Sequence, residues 1–429
     1  MQLNLIEAAK LEYLKSNRYQ VSLFLLLVAG FLALMILFIR GMDRIELPPE
    51  EPVAEVKPVD DPGTASYEVP VFPPLRDFVS YMDQELDSTH TVGAAYTLVR
   101  SGEIKYASTY GERKRGSGQE VDVHTLFRLA SVSKGFAGAL ACMLEQEGKV
   151  SLDDRVVDHY PGFNLKDSLS TEEMTISHLL SHTTGLVPYA YDNLVEANKE
   201  LPDIISRLDE VNISAPPGDV YGYQNVMFSM WDPIARRATG TPYEVLVDEM
   251  IFKPLGMKDA SVGRIMDTSN LNMAFPHVRG RDGFIALKPH QGYYNVLPAA
   301  GVNASISDMG QWLLALLGYK ASVFPDTISK QLAEPLIYTP LKYRYTRNWQ
   351  YFKGRYYSLG WRIYEYRGRK IVYHGGYIRG YRAEIAFCPA EDVGIAFMQN
   401  SPNSLASKVV PRFFDMYFDH QEDLQAAEY

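Results

Sequence analysis

The stretch "TVGAAYTLVRSGEIKYASTYGE" (residues 91–112) consists of two β-prone runs on either side of Ser101-Gly102, the pattern of two strands joined by a tight turn. Just before it, "LRDFVSYMDQEL" (75–86) sets Leu75, Phe78, Val79, Met82 and Leu86 at helical spacing. Strand patterns return only near the other end. There "YYSLGWRIYEYRGRKIVYHGG" (356–376) and "GYRAEIAFCPAEDVGIAFMQN" (380–400) read as two or three hairpin-connected strands, followed by a helix near Val409–Phe418. Between them, from about Leu126 to Leu317, the patterns are mainly helical and are punctuated by glycine and proline: "GFAGALACMLEQEG", "ISHLLSH", "VMFSMWDPIARRATG", "YEVLVDEMIFKPLG" and "SDMGQWLLALLG". The expected class is α+β, an α/β sandwich. Its antiparallel sheet is built from N- and C-terminal strands and flanked by helices, with a helical lobe against it and a cleft where the two meet.

At 429 residues, 46% of them hydrophobic and 22% charged, the chain can bury a large core. Its net charge of −10 and the lack of any basic cluster argue against a nucleic-acid partner. Cys142 and Cys388 are too few for a disulfide framework or a zinc site, and their apolar neighbours predict two buried, unpaired thiols.

The N-terminal "VSLFLLLVAGFLALMILFI" (21–39) has no charge and is long enough to cross a hydrocarbon core of roughly 30 Å as a helix. A cleaved signal peptide has a shorter apolar region, about 7–15 residues, so an uncleaved single transmembrane helix is expected. Lys10, Lys15 and Arg18 precede it, whereas Arg40 and Arg44 soon give way to Glu46, Glu50, Glu51 and Glu55. This bias places residues 1–20 in the cytoplasm and the bulk of the chain outside it, in the periplasm if the cell is Gram-negative. Residues 40–71, rich in proline and acid, read as an extended linker, and 72–420 as the folded domain.

"FRLASVSKGFAGAL" (127–140) places Ser131 and Lys134 three positions apart at the start of an apolar helix, on one face and within reach of each other. A serine hydroxyl attacks a carbonyl only after a base takes its proton, and a desolvated lysine is such a base. A structural alternative is a capping serine and a snorkelling lysine. A second proton-handling group has three candidates of the form Tyr-x-Asn: Tyr191 with Asn193, Tyr223 with Asn225, and Tyr293 with Asn295. A basic residue two before a glycine occurs at His374 with Gly376 and at His290 with Gly292. Tyr223 follows the proline-glycine turn of "SAPPGDVYGYQNV", which would hold its ring on a rigid loop, and His374 lies inside the late strand block.

With Ser131-Val-Ser-Lys134, Tyr223-Gln-Asn225 and His374-Gly-Gly376 in that order, the chain resembles the penicillin-recognising serine hydrolases: class C β-lactamases, D-Ala-D-Ala peptidases and related esterases. "HLLSHTTGL" (178–186), "PPGDVYGYQN" (216–225), "PLGM" (254–257) and "AGVNASISDMGQWL" (300–313) extend the resemblance from about Phe72 to Asp419. It implies an acyl-enzyme on Ser131, with Lys134 and Tyr223 sharing the proton transfers. Asn225 would hold Lys134 and the substrate amide. The remaining substrate-binding and oxyanion positions are His374, Gly375, Gly376 and Tyr377, with the amides of Ser131 and Tyr377 as the oxyanion hole. No metal and no cofactor is implied; the partners are a small-molecule or peptide substrate and, through the N-terminal helix, a membrane. Many β-lactamases of this group carry lysine where His374 stands, so a peptidase or esterase is favoured over an efficient β-lactamase, with Arg379 and Arg382 as candidate replacements for the charge. His178 and His182 share the spacing of a metal pair, but "HLLSH" lacks the glutamate of a zinc protease helix and reads as a structural turn. The alternative function is a receptor or scaffold that binds without turnover.

Overall fold

The opening hairpin forms as β1 (Gly93–Arg100) and β2 (Glu103–Gly111), with Ser101 and Gly102 both in the left-handed region, as a tight turn between twisted strands requires. A computed structural model describes residues 68–265, 271–340 and 348–427. The expected cytoplasmic segment, the membrane span at 21–39 and all but the last residues of the linker lie outside the described residues. Among the described residues no helix is long and apolar enough to cross a membrane.

Short strands follow in the middle of the chain: β3 (Phe127–Arg128), β4 (Ser261–Val262), β5 (His277–Gly280), β6 (Gly283–Ala286) and β7 (Val302–Ala304). The last six are β8 (Ile337–Tyr338), β9 (Phe352–Tyr357), β10 (Arg362–Tyr366), β11 (Arg369–Ile378), β12 (Tyr381–Cys388) and β13 (Val393–Gln399). The main sheet has eight strands in the order β2-β1-β13-β12-β11-β10-β9-β8, and every neighbouring pair is antiparallel. Strands from both ends of the domain thus share one sheet, with Leu98 of β1 opposite Ile395 of β13. The middle of the chain adds a three-stranded sheet, β3-β7-β4, and the hairpin β5-β6. Neither was expected, because strands of two to four residues carry too little alternation to be read.

Side chains alternate across the main sheet between two cores. One face buries Tyr96, Leu98, Ile395 and Phe397 against helices α1 (Pro73–Ser88) and, at the far end of the chain, Ala406–Ala427; Phe78 and Phe413 meet edge-on at 5.0 Å. The C-terminal helix runs past the expected Val409–Phe418 and past the domain limit of 420. The other face buries Ala95, Ile385 and Ala396 against α2 (Ser133–Gln146) and α3 (Ile306–Leu316), where Phe136 stacks on Trp312 at 4.5 Å. Removing a ring as deeply packed as Trp312 costs about 3–5 kcal/mol. Cys142 and Cys388 are buried and free, on opposite faces. The helical lobe joins the α2 side through short helices, among them Ile176–Leu180, Asp192–Glu196, Asn225–Ser229 and Trp231–Thr239.

Candidate active site

β3 leads straight into the serine. Leu129 N–H bonds Val302 O at 3.0 Å, Ala130 turns into the left-handed region at φ +48°, and a 3-10 turn (Ala130–Val132) carries Ser131 into α2. Ser133 Oγ accepts from Val302 N–H at 2.9 Å and pins the junction. Lys134, at the second position of α2, is fully buried. The expected pair therefore forms across the junction of the two helix types, with Lys134 Nζ 3.4 Å from Ser131 Oγ.

The rigid loop after Pro216-Pro217-Gly218 delivers the phenol: Tyr223 Oη lies 3.0 Å from Ser131 Oγ. Two residues on, Asn225 Oδ1 accepts from Lys134 Nζ at 2.8 Å, and Ala299 O accepts from the same nitrogen at 3.0 Å. The other end of the amide is occupied as well, because Asn225 Nδ2 donates to Asp192 Oδ2 at 2.9 Å. The rival tyrosines are engaged elsewhere: Tyr191 with Arg207 O and Glu210, and Tyr293 with Glu196, while Asn295 bonds Val195 O and Lys199 O. His290 and Gly292 offer their carbonyls to the buried Arg128 guanidinium.

β11 passes alongside Ser131. A Cβ on Gly376 would sit 2.1 Å from Leu129 O and 3.1 Å from Ser131 N, so only glycine lets the strand approach this closely. The pleat sends Gly375 and Tyr377 to the opposite face, with Tyr373. Gly375 makes room there for the Tyr373–Glu384 hydrogen bond of 2.6 Å, since a Cβ would lie 2.6 Å from both oxygens. The Tyr377 side chain is 61% exposed on that face.

His374 departs from the expected role. It is fully buried, with Nδ1 3.0 Å from Gly375 O and Nε2 3.0 Å from Tyr357 Oη, so both nitrogens are spent inside the protein. Burial, with help from Arg362 and Lys134, holds it well below the usual imidazole range and therefore neutral. Arg382 does not supply the charge either, being paired with buried Glu384 at 2.6 Å, and Arg379 is exposed. Arg362, at the start of β10, stands in the site instead. Its guanidinium lies 5.7 Å from the Tyr223 ring centre and 5.6 Å from that of Tyr357, with Tyr221 Oη at 3.4 Å. No ion pair among the described residues neutralises it. The signal for it in "LGWRIY" is one arginine opening a strand, which is too common to single out.

Electrostatics separate the two proton-handling groups. Burial pushes the Lys134 ammonium well below its ordinary range, against an opposing pull from Asp192 and with a further depression from Arg362. Burial pushes the Tyr223 phenol upward, only partly offset by Arg362 and the Ser131 hydrogen bond. At neutral pH the phenol keeps its proton, while burial weakens the hold of the amine on its own. His178 closes a capping box with Thr175. His182 packs its ring 4.2 Å from that of Tyr223 and accepts from Gln224 N–H at 3.2 Å, bracing the phenol. Among the described residues no cluster of ligating side chains could hold a metal. A groove of ≈ 660 Å³ on the helical lobe, lined by His159, Tyr160, Arg236 and Arg237 among others, has none of Ser131, Lys134 and Tyr223 in its wall.

The beta-lactamase family model matches residues 78–414, nearly the whole described domain. The chain belongs to the beta-lactamase family. Among its relatives in this family, Protein flp of Staphylococcus aureus (strain MRSA252) is 22% identical over 348 residues, covering 79% of this chain and 66% of that protein. Unguisins hydrolase ungD of Aspergillus violaceofuscus (strain CBS 115571) is 27% identical over 337 residues, covering 70% of this chain and 56% of that one. The chain thus spans just under two thirds of the first and little more than half of the second. Among solved structures, the octameric penicillin-binding protein homologue from Pyrococcus abyssi superposes with a TM-score of 0.68 at 21% identity, over 79% of this chain and 77% of that one. The penicillin binding protein from Bacillus halodurans gives 0.64 at 20%, over 78% and 99%. At these identities the structural likeness establishes the beta-lactamase fold.

Proposed function

We propose that the chain is a serine hydrolase that cleaves an amide, peptide or ester through an acyl-enzyme on Ser131. The observation that carries this is the convergence on one hydroxyl of a phenol at 3.0 Å and a fully buried amine at 3.4 Å, from segments 92 residues apart. Neutral Lys134 accepts the Ser131 proton as Oγ bonds to the carbonyl carbon. The oxyanion is received by the amides of Ser131 and Tyr377. Tyr223 passes a proton to the departing nitrogen or oxygen and is reprotonated from Lys134. Water, giving its proton along the same route, then releases the acyl group. No cofactor enters these steps.

Arg362, with no carboxylate partner among the described residues and its guanidinium beside the phenol, suits a substrate carboxylate next to the scissile bond, as in a D-Ala-D-Ala carboxypeptidase. The Aspergillus relative is named a hydrolase, which agrees with turnover rather than with a receptor or scaffold. The apolar stretch at 21–39 supports a single-pass anchor with a cytoplasmic N-terminus and a catalytic domain outside the cytoplasm. Full-length protein incubated with fluorescent penicillin and with p-nitrophenyl esters is expected to form a covalent adduct located at Ser131 by mass, absent in Ser131→Ala. No adduct with any of these acyl donors would refute the hydrolase and favour binding without turnover.

A further inference from the structure

For a neutral Lys134 the hydrogen-bond inventory closes one way. A neutral amine has two N–H donors and one lone pair, and three acceptor-capable atoms surround Nζ: Asn225 Oδ1 at 2.8 Å, Ala299 O at 3.0 Å and Ser131 Oγ at 3.4 Å. The two carbonyl oxygens accept the two N–H groups. That leaves the lone pair facing the serine hydroxyl, the orientation a proton acceptor needs. The arrangement depends on Asn225 showing Lys134 its oxygen rather than its NH2, and the two ends of an amide differ little in size or shape.

Asp192 decides between them. A carboxylate only accepts, so the end of Asn225 that lies 2.9 Å from Asp192 Oδ2 has to be Nδ2, and Oδ1 is left for Lys134. Tyr191, in the left-handed region at φ +61°, turns the chain so that Asp192 opens the short helix Asp192–Glu196 against Asn225. The second carboxylate oxygen, Oδ1, is closed off from solvent and has no hydrogen-bond partner among the described residues. Carrying a half-buried acid with one bare oxygen is costly in a site with no other use for it.

We propose that Asp192 is a positioning residue of the acylation step: by accepting from Asn225 Nδ2 it turns Asn225 Oδ1 to Lys134 and so aims the lysine lone pair at Ser131 Oγ. This rests on the hydrolase reading above. One of the two N–H groups of Asn225 Nδ2 is engaged by Asp192, which leaves the second for the substrate amide expected there. Asp192 acts on the lysine electrostatically as well. Glu196 and Tyr293 face Asp192; Arg362, His182, His374 and Tyr223 share the surroundings of Lys134, and Asp192 is the carboxylate that stabilises the ammonium. Removing its charge makes the amine lose its proton at lower pH.

The test uses full-length protein, p-nitrophenyl acetate and three variants: Ser131→Ala, Asp192→Ala and Asp192→Asn. Asp192→Ala frees Asn225 to rotate and is expected to lower kcat about tenfold to a hundredfold, the scale of a misaligned catalytic group, with KM within about twofold. Asp192→Asn still presents an acceptor to Asn225. Because its NH2 also admits the flipped amide, kcat is expected to fall between that of the alanine variant and the parent, and the acidic limb of kcat/KM to move down by about half to one pH unit, as loss of a nearby opposite charge requires. Circular dichroism checks the fold, and the asparagine variant alone still reads the limb if the alanine variant fails to fold. An unmoved limb, or a kcat unaffected by Asp192→Ala, overturns the proposal while leaving the hydrolase intact. A parent rate equal to that of Ser131→Ala overturns both.

Discussion

Replacing Arg362 with glutamine separates the charge of the site from its chemistry. The guanidinium is half-buried over two tyrosine rings at 5.7 and 5.6 Å and has no carboxylate partner among the described residues. A hydrogen bond to a charged group in such a setting is worth about 1.5–3 kcal/mol, which corresponds to roughly a 10- to 150-fold change in kcat/KM. Arg362→Gln is therefore expected to lower kcat/KM by that factor for a peptide ending in D-Ala-D-Ala. For the same peptide as its C-terminal amide, and for neutral esters, the change is expected to stay within about threefold on the pH plateau, because Ser131, Lys134 and Tyr223 keep their places; the acidic limb shifts upward for all substrates alike, since Arg362 no longer depresses Lys134. The lost ring contacts cost about 0.5–1 kcal/mol each at most, visible as a small drop in Tm. Steady-state assays of the acid and amide substrates side by side decide the matter. Equal losses for both, or no loss for either, would refute the assignment of Arg362 to a substrate carboxylate.

Tyr223→Phe keeps the ring packed against His182 and removes only the hydroxyl 3.0 Å from Ser131, so kcat for ester hydrolysis should fall about 10²- to 10⁴-fold with an unchanged melting curve. Gly376→Ala would force a methyl group to 2.1 Å from Leu129 O and is expected to abolish penicillin labelling even in protein that remains folded by circular dichroism. Burial raises Asp232 to about 6 from 3.8, with Arg236 opposing and Glu244 assisting. The native state then holds a proton that the unfolded chain has released, and stability declines as pH climbs from about 4 through 6. Asp232→Asn should remove that part of the slope and stabilise the protein at pH 7 by about 1–2 kcal/mol in urea unfolding, the figure allowing for partial solvent screening.

Much of this architecture could be read from local signals. Ser101-Gly102 between two β-prone runs fixes a hairpin, and the apolar spacing of Leu75 to Leu86 fixes a helix, because both patterns operate over a few residues. Ser131, Lys134 and Tyr223 were legible for a related reason: their spacing and the turn before Tyr223 set local geometry that chemistry can interpret. Asp192 and Arg362 were not. Each meets the site only through tertiary packing, Asp192 across the 33 residues to Asn225 and Arg362 across the 141 residues to Tyr221. His374 looked like a ligand because an imidazole among glycines suggests an open cleft, yet burial and the Tyr357 hydroxyl turn it into a structural prop. The small β3-β7-β4 sheet escaped notice because its strands are two or three residues long and are held by partners far away in the chain.

The pairing of β1 with β13 has a consequence for biogenesis. Val99 must find Gly394, and Tyr96 must find Phe397, almost three hundred residues later. At a synthesis rate of about 5–20 residues per second, the first hairpin waits at least about 15 seconds with one edge bare before its neighbour is made. During that interval the nascent domain offers an open strand to any other chain, and its helical lobe has no sheet to rest on. Chaperone dependence during synthesis, and a slow refolding phase set by this closure, follow from the strand order alone.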